Sequence, residues 1–307
     1  MYRTVLAYCG MCLIWGTTWL AIKIGLHTLG PLTGVGLRFV IASVFLFVVA
    51  AATRSLLPLR EMPWKLILVF STMLFGLNYI LTYEAETRLD SGLVSVLFGT
   101  LPFFTFGLGH LMVGEKTTPR IWTGAVIAFA GVAVISLAGQ VRGSPLFALC
   151  AIGAAGVSAF ANVYAKRHSH HDPLVTLPPS MFIAGATILI GGLIFERTDW
   201  AAVAGPSSLT ALLYLAIFGS GVAFFLNLWV LKRLPVWIVG LSSLIFPVIA
   251  ITVGILFGGE HFGWRELAGS LLVIAGIAIA LTTTRAETCW DKTYSSSESP
   301  STSRSHT

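Results

Sequence analysis

Residues 97–115 read LFGTLPFFTFGLGHLMVGE and residues 242–260 read SSLIFPVIAITVGILFGGE. Each is an apolar run of helical length interrupted by a single proline, Pro102 or Pro247, and each closes on a Gly-Glu pair, Gly114-Glu115 or Gly259-Glu260. The two stretches are 145 residues apart, and the same offset carries Gly124 onto Gly269 and Gly131 onto Gly276 without an insertion. So long a match at one spacing marks an internal duplication.

The surroundings of both stretches are just as apolar. Of the 307 residues, 56% are hydrophobic and 10% charged, far from the roughly 25% charged residues of a soluble domain. Runs near the ~20 residues that cross a bilayer as a helix recur along the chain. They predict spans over 4–25, 34–53, 65–85, 91–113, 121–139, 145–165, 174–195, 209–231, 236–258 and 266–284. No soluble domain is left over. The first span lacks a small-residue cleavage site behind it, so it reads as a retained helix.

The net charge of +6 raises the question of nucleic acid, and the placement of the basic residues answers it. With the N-terminus inside, thirteen of the nineteen Lys and Arg residues fall on the inner side. Arg38, Arg88, Arg142, Arg197 and Arg265 fall outside, and Lys23 lies within the first span. That is the positive-inside bias, which puts both termini in the cytoplasm and gives the surplus a topological meaning. The expected partners are a lipid bilayer and a small-molecule solute; nucleic acid is not expected, and a homodimer stays open.

Ten spans divide into five and five. Duplicating an odd number of crossings forces the second copy to enter from the opposite face, so the expected fold is all-α, integral to the membrane, with ten transmembrane helices arranged as two inverted-topology five-helix repeats. The repeats are placed at 1–143 and 144–284. The Ser-rich tail 285–307 cannot bury a core and is expected to be disordered in the cytoplasm.

Within that frame several groups invite a chemical reading. Pro102 and Pro247 deprive the carbonyls of Phe98 and Ser243 of helical partners, which is tolerated where the backbone faces protein or a wet cavity. They read either as hinges facing the bundle centre or as fixed kinks. Trp15, Trp19 and Lys23 share a face at i, i+4 and i+8; they read as a wall of a central pathway, with snorkelling of Lys23 and simple packing as the alternative. Asn78, Tyr79, Thr82 and Tyr83 in the third span, Ser158 and Asn162 in the sixth, and Asn227 in the eighth are polar groups deep in apolar segments, and as a set they read as the lining of a solute cavity. Glu84, Glu86, Arg88 and Asp90 read as a solvated rim, and Glu115 and Glu260 as turn residues at the membrane surface. Gly124, Gly131, Gly269, Gly276 and the run from Gly153 to Gly156 read as close helix contacts.

Other chemistry finds little support. RHSHHD (167–172) offers His168 and Asp172 at a spacing of four, but no matching ligands or nucleophile elsewhere, so no catalytic residue, metal site or cofactor is expected. No Walker A pattern is present. Cys9 and Cys12 read as small packing residues, and Cys150 and Cys289 stand alone.

WGTTWLAIKIGL (15–26), GLRFVIA (36–42), YEAETRLDSGLVSVLFGTLPFFT (83–105) and the two proline-to-Gly-Glu segments resemble the EamA family of the drug/metabolite transporter superfamily over roughly residues 4–284. The resemblance implies a secondary transporter in the bacterial inner membrane, moving small metabolites such as amino acids or amphiphilic compounds, often outward, by alternating access between the repeats. The rival readings are an integral-membrane enzyme using the His168–Asp172 loop and a non-transporting scaffold.

Overall fold

The computed structural model describes residues 2–89, 91–136, 145–258 and 264–282, and every regular element among them is a helix. In chain order these are α1 (Tyr2–Leu26), α2 (Pro31–Ala52), α3 (Trp64–Arg88), α4 (Ser91–Phe98), α5 (Leu101–Val113), α6 (Pro119–Ser136), α7 (Pro145–His168), α8 (Pro173–Phe195), α9 (Trp200–Val203), α10 (Pro206–Leu231), α11 (Val236–Gly240), α12 (Ser242–Gly258) and α13 (Trp264–Leu281). Helices satisfy their backbone internally, which an apolar chain in lipid requires. Five of them begin on proline, at Pro31, Pro119, Pro145, Pro173 and Pro206; the fixed φ suits the first turn, where the missing N–H has no intrahelical partner in any case. Asp172 caps α8 by accepting the N–H of Leu174 at 2.8 Å, and Gly114, at φ 71°, terminates α5 in the left-handed region.

Seven segments are long and apolar enough to cross a membrane: α1, α2, α3, Leu93–Val113, α7, α8 and α10. Three shorter apolar stretches, Pro119–Val134, Val236–Ile249 and Leu267–Leu281, accompany them. The helices occupy the positions of the expected spans, and among the described residues length and composition by themselves make seven of them able to cross. The repeat boundary at 143–144, the pair Gly259-Glu260, Asp90, Cys289 and the tail from 285 lie outside the described residues.

The proline-containing segments differ from expectation. The first breaks at Gly99-Thr100 and restarts at Leu101, so Pro102 sits in the first turn of α5, not inside a kinked helix. The second breaks at Leu241, and Pro247 lies within α12. A second departure is invisible to an apolar-periodicity reading. Residues Phe70–Leu77 of α3 and Leu215–Val222 of α10 are π-helical, and these two stretches are again 145 residues apart. The wide turn inserts an extra residue and rotates the helix beyond it, a device concentrated at functional sites.

The packing obeys the same offset. On α2 and α8, Gly36 lies against Leu189, Phe39 and Val40 against Gly185, and Thr33 against Gly192, so the two helices run antiparallel. On α6 and α13, Gly124 meets Gly276 and Ala280, while Gly131 meets Gly269 and Val273, again antiparallel. Shifted by 145 residues, α2 falls on α8 and α6 on α13. Each of these elements therefore packs head to tail on its own counterpart, and the expected close contacts are found at Gly124, Gly131, Gly269 and Gly276 but not along Gly153 to Gly156, where a Cβ would meet only ordinary side-chain contacts. The remaining contacts are reciprocal: α5 packs on α7 as α12 does on α1, and the π stretch of α3 packs on α8 as that of α10 does on α2. Both principal apolar clusters draw residues from either half of the chain.

A methyl group on Gly276 would stand 2.5 Å from the Gly124 oxygen and closer still to the Ala128 nitrogen, whereas one on Gly156 would meet nothing nearer than 3.7 Å. Gly276→Val should therefore destabilise the bundle by roughly 1–3 kcal/mol, the usual cost of overpacking, and Gly156→Ala should be neutral. Thermal unfolding in detergent followed by size-exclusion fluorescence separates the two; equal stability would contradict the packing described.

Candidate functional site

Between the two halves lies a chamber of about 80 Å3, narrow against the roughly 300–1,000 Å3 of small-molecule pockets. Its walls come from both halves. Trp15, Thr18 and Trp19 stand on α1, Asn78, Tyr79 and Thr82 on α3, Ser158 and Asn162 on α7, and Phe224 and Asn227 on α10. The helix breaks complete it: Phe98 and Leu101 flank the first, and Ser242, Ser243 and Phe246 follow the second. Phe98, the last residue of α4, and Ser243, four residues before Pro247 in α12, both border the chamber.

Seven of the nine expected lining residues are brought together here: Trp15, Trp19, Asn78, Tyr79, Ser158, Asn162 and Asn227. Two are not. Lys23 is exposed and borders a separate shallow depression with His27, Glu86 and Thr87, while its neighbour Ile22 lines the chamber. Tyr83 lies behind the wall, where its hydroxyl accepts from Arg38. The cavity is polar in a particular way. Asn227 Nδ2 donates to Asn162 Oδ1 at 2.9 Å and Trp15 Nε1 to the Gly219 carbonyl at 3.1 Å. Asn78 Oδ1, Asn227 Oδ1 and Trp19 Nε1 are buried with no hydrogen-bond partner among the described residues. Trp15 meets Phe224 and Phe246 edge to face, at centroid distances of 5.1 and 5.8 Å, and Trp19 meets Phe98 at 6.0 Å.

Arg38 corrects the charge count made from sequence. Far from standing at the outer surface, it is 1% exposed and borders the chamber. Its Nε donates to Ser220 Oγ at 2.7 Å, and its two terminal nitrogens donate to Tyr83 and Tyr79 at 3.4 Å each; the guanidinium also lies 4.9 Å from the Tyr79 ring centroid. All its hydrogen-bond partners among the described residues are neutral hydroxyls. An arginine deep in a membrane span costs roughly 3 kcal/mol on insertion scales and is retained where it serves a path or a ligand. The signal available in the sequence was its setting: GLRFV places the cation inside an apolar run, with no acid within two turns.

The acidic residues also depart from the surface reading. Glu86 is 9% exposed, so it belongs to the protein interior and not to a solvated rim; Glu84 is half-buried. Glu115 bonds far along the chain. Its carboxylate reaches across the chain to accept the N–H groups of Val236 at 2.8 Å and Trp237 at 3.4 Å, at the start of α11. Burial pushes the Glu115 carboxyl above its ordinary value of 4.5, against the opposing pull of those N–H groups and of Lys166. Lys166 itself donates to the carbonyls of Leu231 and Leu234 at 2.8 and 3.0 Å. In the RHSHHD segment His168 stacks on Tyr164 at 4.1 Å and Asp172 is the α8 cap. Among the described residues no group of three His, Cys, Asp or Glu side chains could hold a metal ion.

Known proteins share this chain's pattern over nearly its whole length. Residues 3–137 and again 146–282 match the model of the EamA-like transporter family. The chain is 30% identical over 288 residues to the uncharacterized transporter YoaV of Bacillus subtilis, covering 90% of this chain and 96% of that one. It is 27% identical over 271 residues to the uncharacterized inner membrane transporter YedA of Escherichia coli K12, covering 88% of each. It is 29% identical over 282 residues to a probable amino-acid metabolite efflux pump of Salmonella typhimurium, covering 87% and 90%. One crystal structure superimposes with a TM-score of 0.81 over 94% of this chain and all of the other at 21% identity, a likeness of fold.

Because the folded protein holds the Glu115 proton more tightly than the unfolded chain does, stability attributable to this group is greatest at low pH and is lost as pH rises from 4.5 through the raised value. Glu115→Gln should flatten that part of the curve. Melting temperatures measured from pH 4 to 8 check the sign; a wild-type stability that increases over this window relative to the variant contradicts it.

Proposed function

The chain belongs to the EamA-like transporter family, and is thus a multi-pass membrane transporter; we propose that it is a secondary carrier, working as an exporter or facilitator of small metabolites, with the chamber as its solute site. The observation that carries this reading is the chamber itself. It holds buried polar groups, two of them acceptors without partners among the described residues, at the meeting of two sets of elements that repeat at one offset and pack antiparallel. Inverted repeats with a shared midplane site are the architecture from which alternating access arises, since each copy can adopt the conformation of the other.

In this reading the chain crosses ten times, as two inverted five-helix units over 1–143 and 144–284. The three short apolar stretches supply the crossings beyond the seven long ones, α4 with α5 and α11 with α12 each making one broken crossing. The double family match and the antiparallel pairing of α2 with α8 and of α6 with α13 support it. The basic residues favour cytoplasmic termini, and the YedA likeness favours the inner membrane. The activity named for the Salmonella relative supports amino-acid metabolites as a starting panel and outward movement as the direction. The stacking of His168 on Tyr164 and the capping role of Asp172 support the carrier reading over the enzyme alternative.

The purified protein in liposomes should exchange solutes from a metabolite panel, and Trp19→Ala and Asn227→Ala should each lower that flux about tenfold, the effect of roughly 1.4 kcal/mol, while leaving the protein folded. Counterflow with radiolabelled solutes provides the measurement. A wild-type protein that moves nothing in the panel would favour the scaffold, and unchanged flux in both variants would remove the chamber from the path.

A further inference from the structure

Resting on the reading of the chamber as the solute site, we propose that Arg38 anchors a carboxylate of the transported solute, and that the chamber selects small molecules in which a carboxylate stands beside an N–H donor, as in amino acids, over amines that lack the carboxylate. A guanidinium offers five N–H donors in a planar fork matched to a carboxylate. In Arg38 three donations are made, two of them at 3.4 Å, near the outer limit of a hydrogen bond. Only the Nε bond to Ser220 is short. That bond orients the fork while the terminal nitrogens keep donors for a ligand.

The surroundings point the same way. All the partners of Arg38 among the described residues are neutral, so an entering anion would be the group that matches its charge, through charge-assisted and bidentate bonds. Asn78 and Asn227 border the same chamber, and the Oδ1 of each is a buried acceptor without a partner among those residues, the complement of an ammonium or amide N–H. A solute bearing only a cation would meet the like charge of Arg38 and no carboxylate among the described lining residues. Room for the guanidinium is built in: a Cβ at Gly219, in the π stretch of α10, would stand 3.2 Å from Arg38 Nη2 and 2.9 Å from Thr18 Cγ2. A purely structural clamp accounts for this poorly. The position corresponding to Arg38 in the second copy is Ile183 on α8, so the α2–α8 pair has no general need of a cation at this register.

The test uses the full chain in liposomes with matched probes: L-leucine and L-phenylalanine, their decarboxylated amines 3-methylbutylamine and 2-phenylethylamine, and their deaminated acids 4-methylpentanoate and 3-phenylpropanoate. Wild type should exchange the amino acids at least about tenfold better than the amines. Arg38→Gln should abolish that preference and Arg38→Lys retain part of it. Ser220→Ala, a change at a positioning residue, should raise KM for the amino acids several-fold with kcat kept and without effect on any residual amine flux; it keeps the inference testable if Arg38→Gln does not fold. Amines moved as well as amino acids by wild type, or an unchanged preference in Ser220→Ala and the Arg38 variants, overturns the anchor and leaves the carrier reading standing. No flux of any metabolite overturns both.

Discussion

The close antiparallel contact of α2 with α8 and of α6 with α13 is the constraint on which the other features of the structure depend. Inside a bilayer the helices gain nothing by hiding apolar surface from one another, so association depends on van der Waals fit and on how near two backbones come. Glycine supplies that nearness at Gly36, Gly185 and Gly192 on one seam and at Gly124, Gly131, Gly269 and Gly276 on the other. Because each seam joins an element to its own counterpart, one solution to the packing problem serves both members of the pair. The other contacts then fall into reciprocal sets, and the chamber is left where the broken helices α4–α5 and α11–α12 come opposite α1, α3, α7 and α10.

A symmetric frame does not make a symmetric lining. At the shared offset Tyr79 corresponds to Phe224, Thr82 to Asn227, Asn78 to Ala223, Asn162 to Thr17 and Arg38 to Ile183. The α6–α13 seam has kept its glycines in both copies, Gly124 with Gly269 and Gly131 with Gly276, whereas on the α2–α8 seam Gly36 corresponds to Met181 and Gly185 to Val40, and the chamber positions differ in hydrogen-bonding capacity and charge. The cation and the tyrosines belong to the first copy; on α3 and α10, the asparagine of the first copy faces a counterpart without polarity, and that of the second faces a threonine. A ligand in such a cavity would find one charged end and one neutral, accepting end, an arrangement that fixes orientation as well as position.

The duplication was legible because glycine and proline tolerate little substitution where backbones touch or helices begin, so they keep register after other residues have changed. Most of the lining was legible for a related reason: Trp15, Trp19, Asn78, Asn162 and Asn227 are costly inside an apolar run unless they face something other than lipid. Arg38 was misplaced because a count of charges by side treats every arginine near a span boundary as solvated, and α2 begins early enough to carry it inside. Lys23 erred in the opposite sense, since helical phase put it on the tryptophan face, yet its side chain is exposed and the chamber takes Ile22 in its place. Glu115 makes its bonds to Val236 and Trp237, a partnership more than 120 residues distant in the chain, which no local pattern reports. The π stretches leave no periodic trace at all, because eight residues of altered winding are too few to move an apolar period.

The two broken segments carry the last step. Their prolines are equivalent in sequence, yet α5 begins around Pro102 while Pro247 lies well inside α12. The breaks sit instead at Gly99-Thr100 and at Leu241, and in the shared register these differ by three to four residues, about one helical turn. Proline therefore marks the segment without locating its bend. If the copies exchange conformations in the proposed cycle, the difference between α4–α5 and α11–α12 measures the change each undergoes: the break travels one turn along the helix. Phe98 and Leu101 in the first copy, and Ser242, Ser243 and Phe246 in the second, would then move relative to the solute. Opening the chamber to one side or the other would depend on that shift in two short stretches, with the glycine-tight seams left intact.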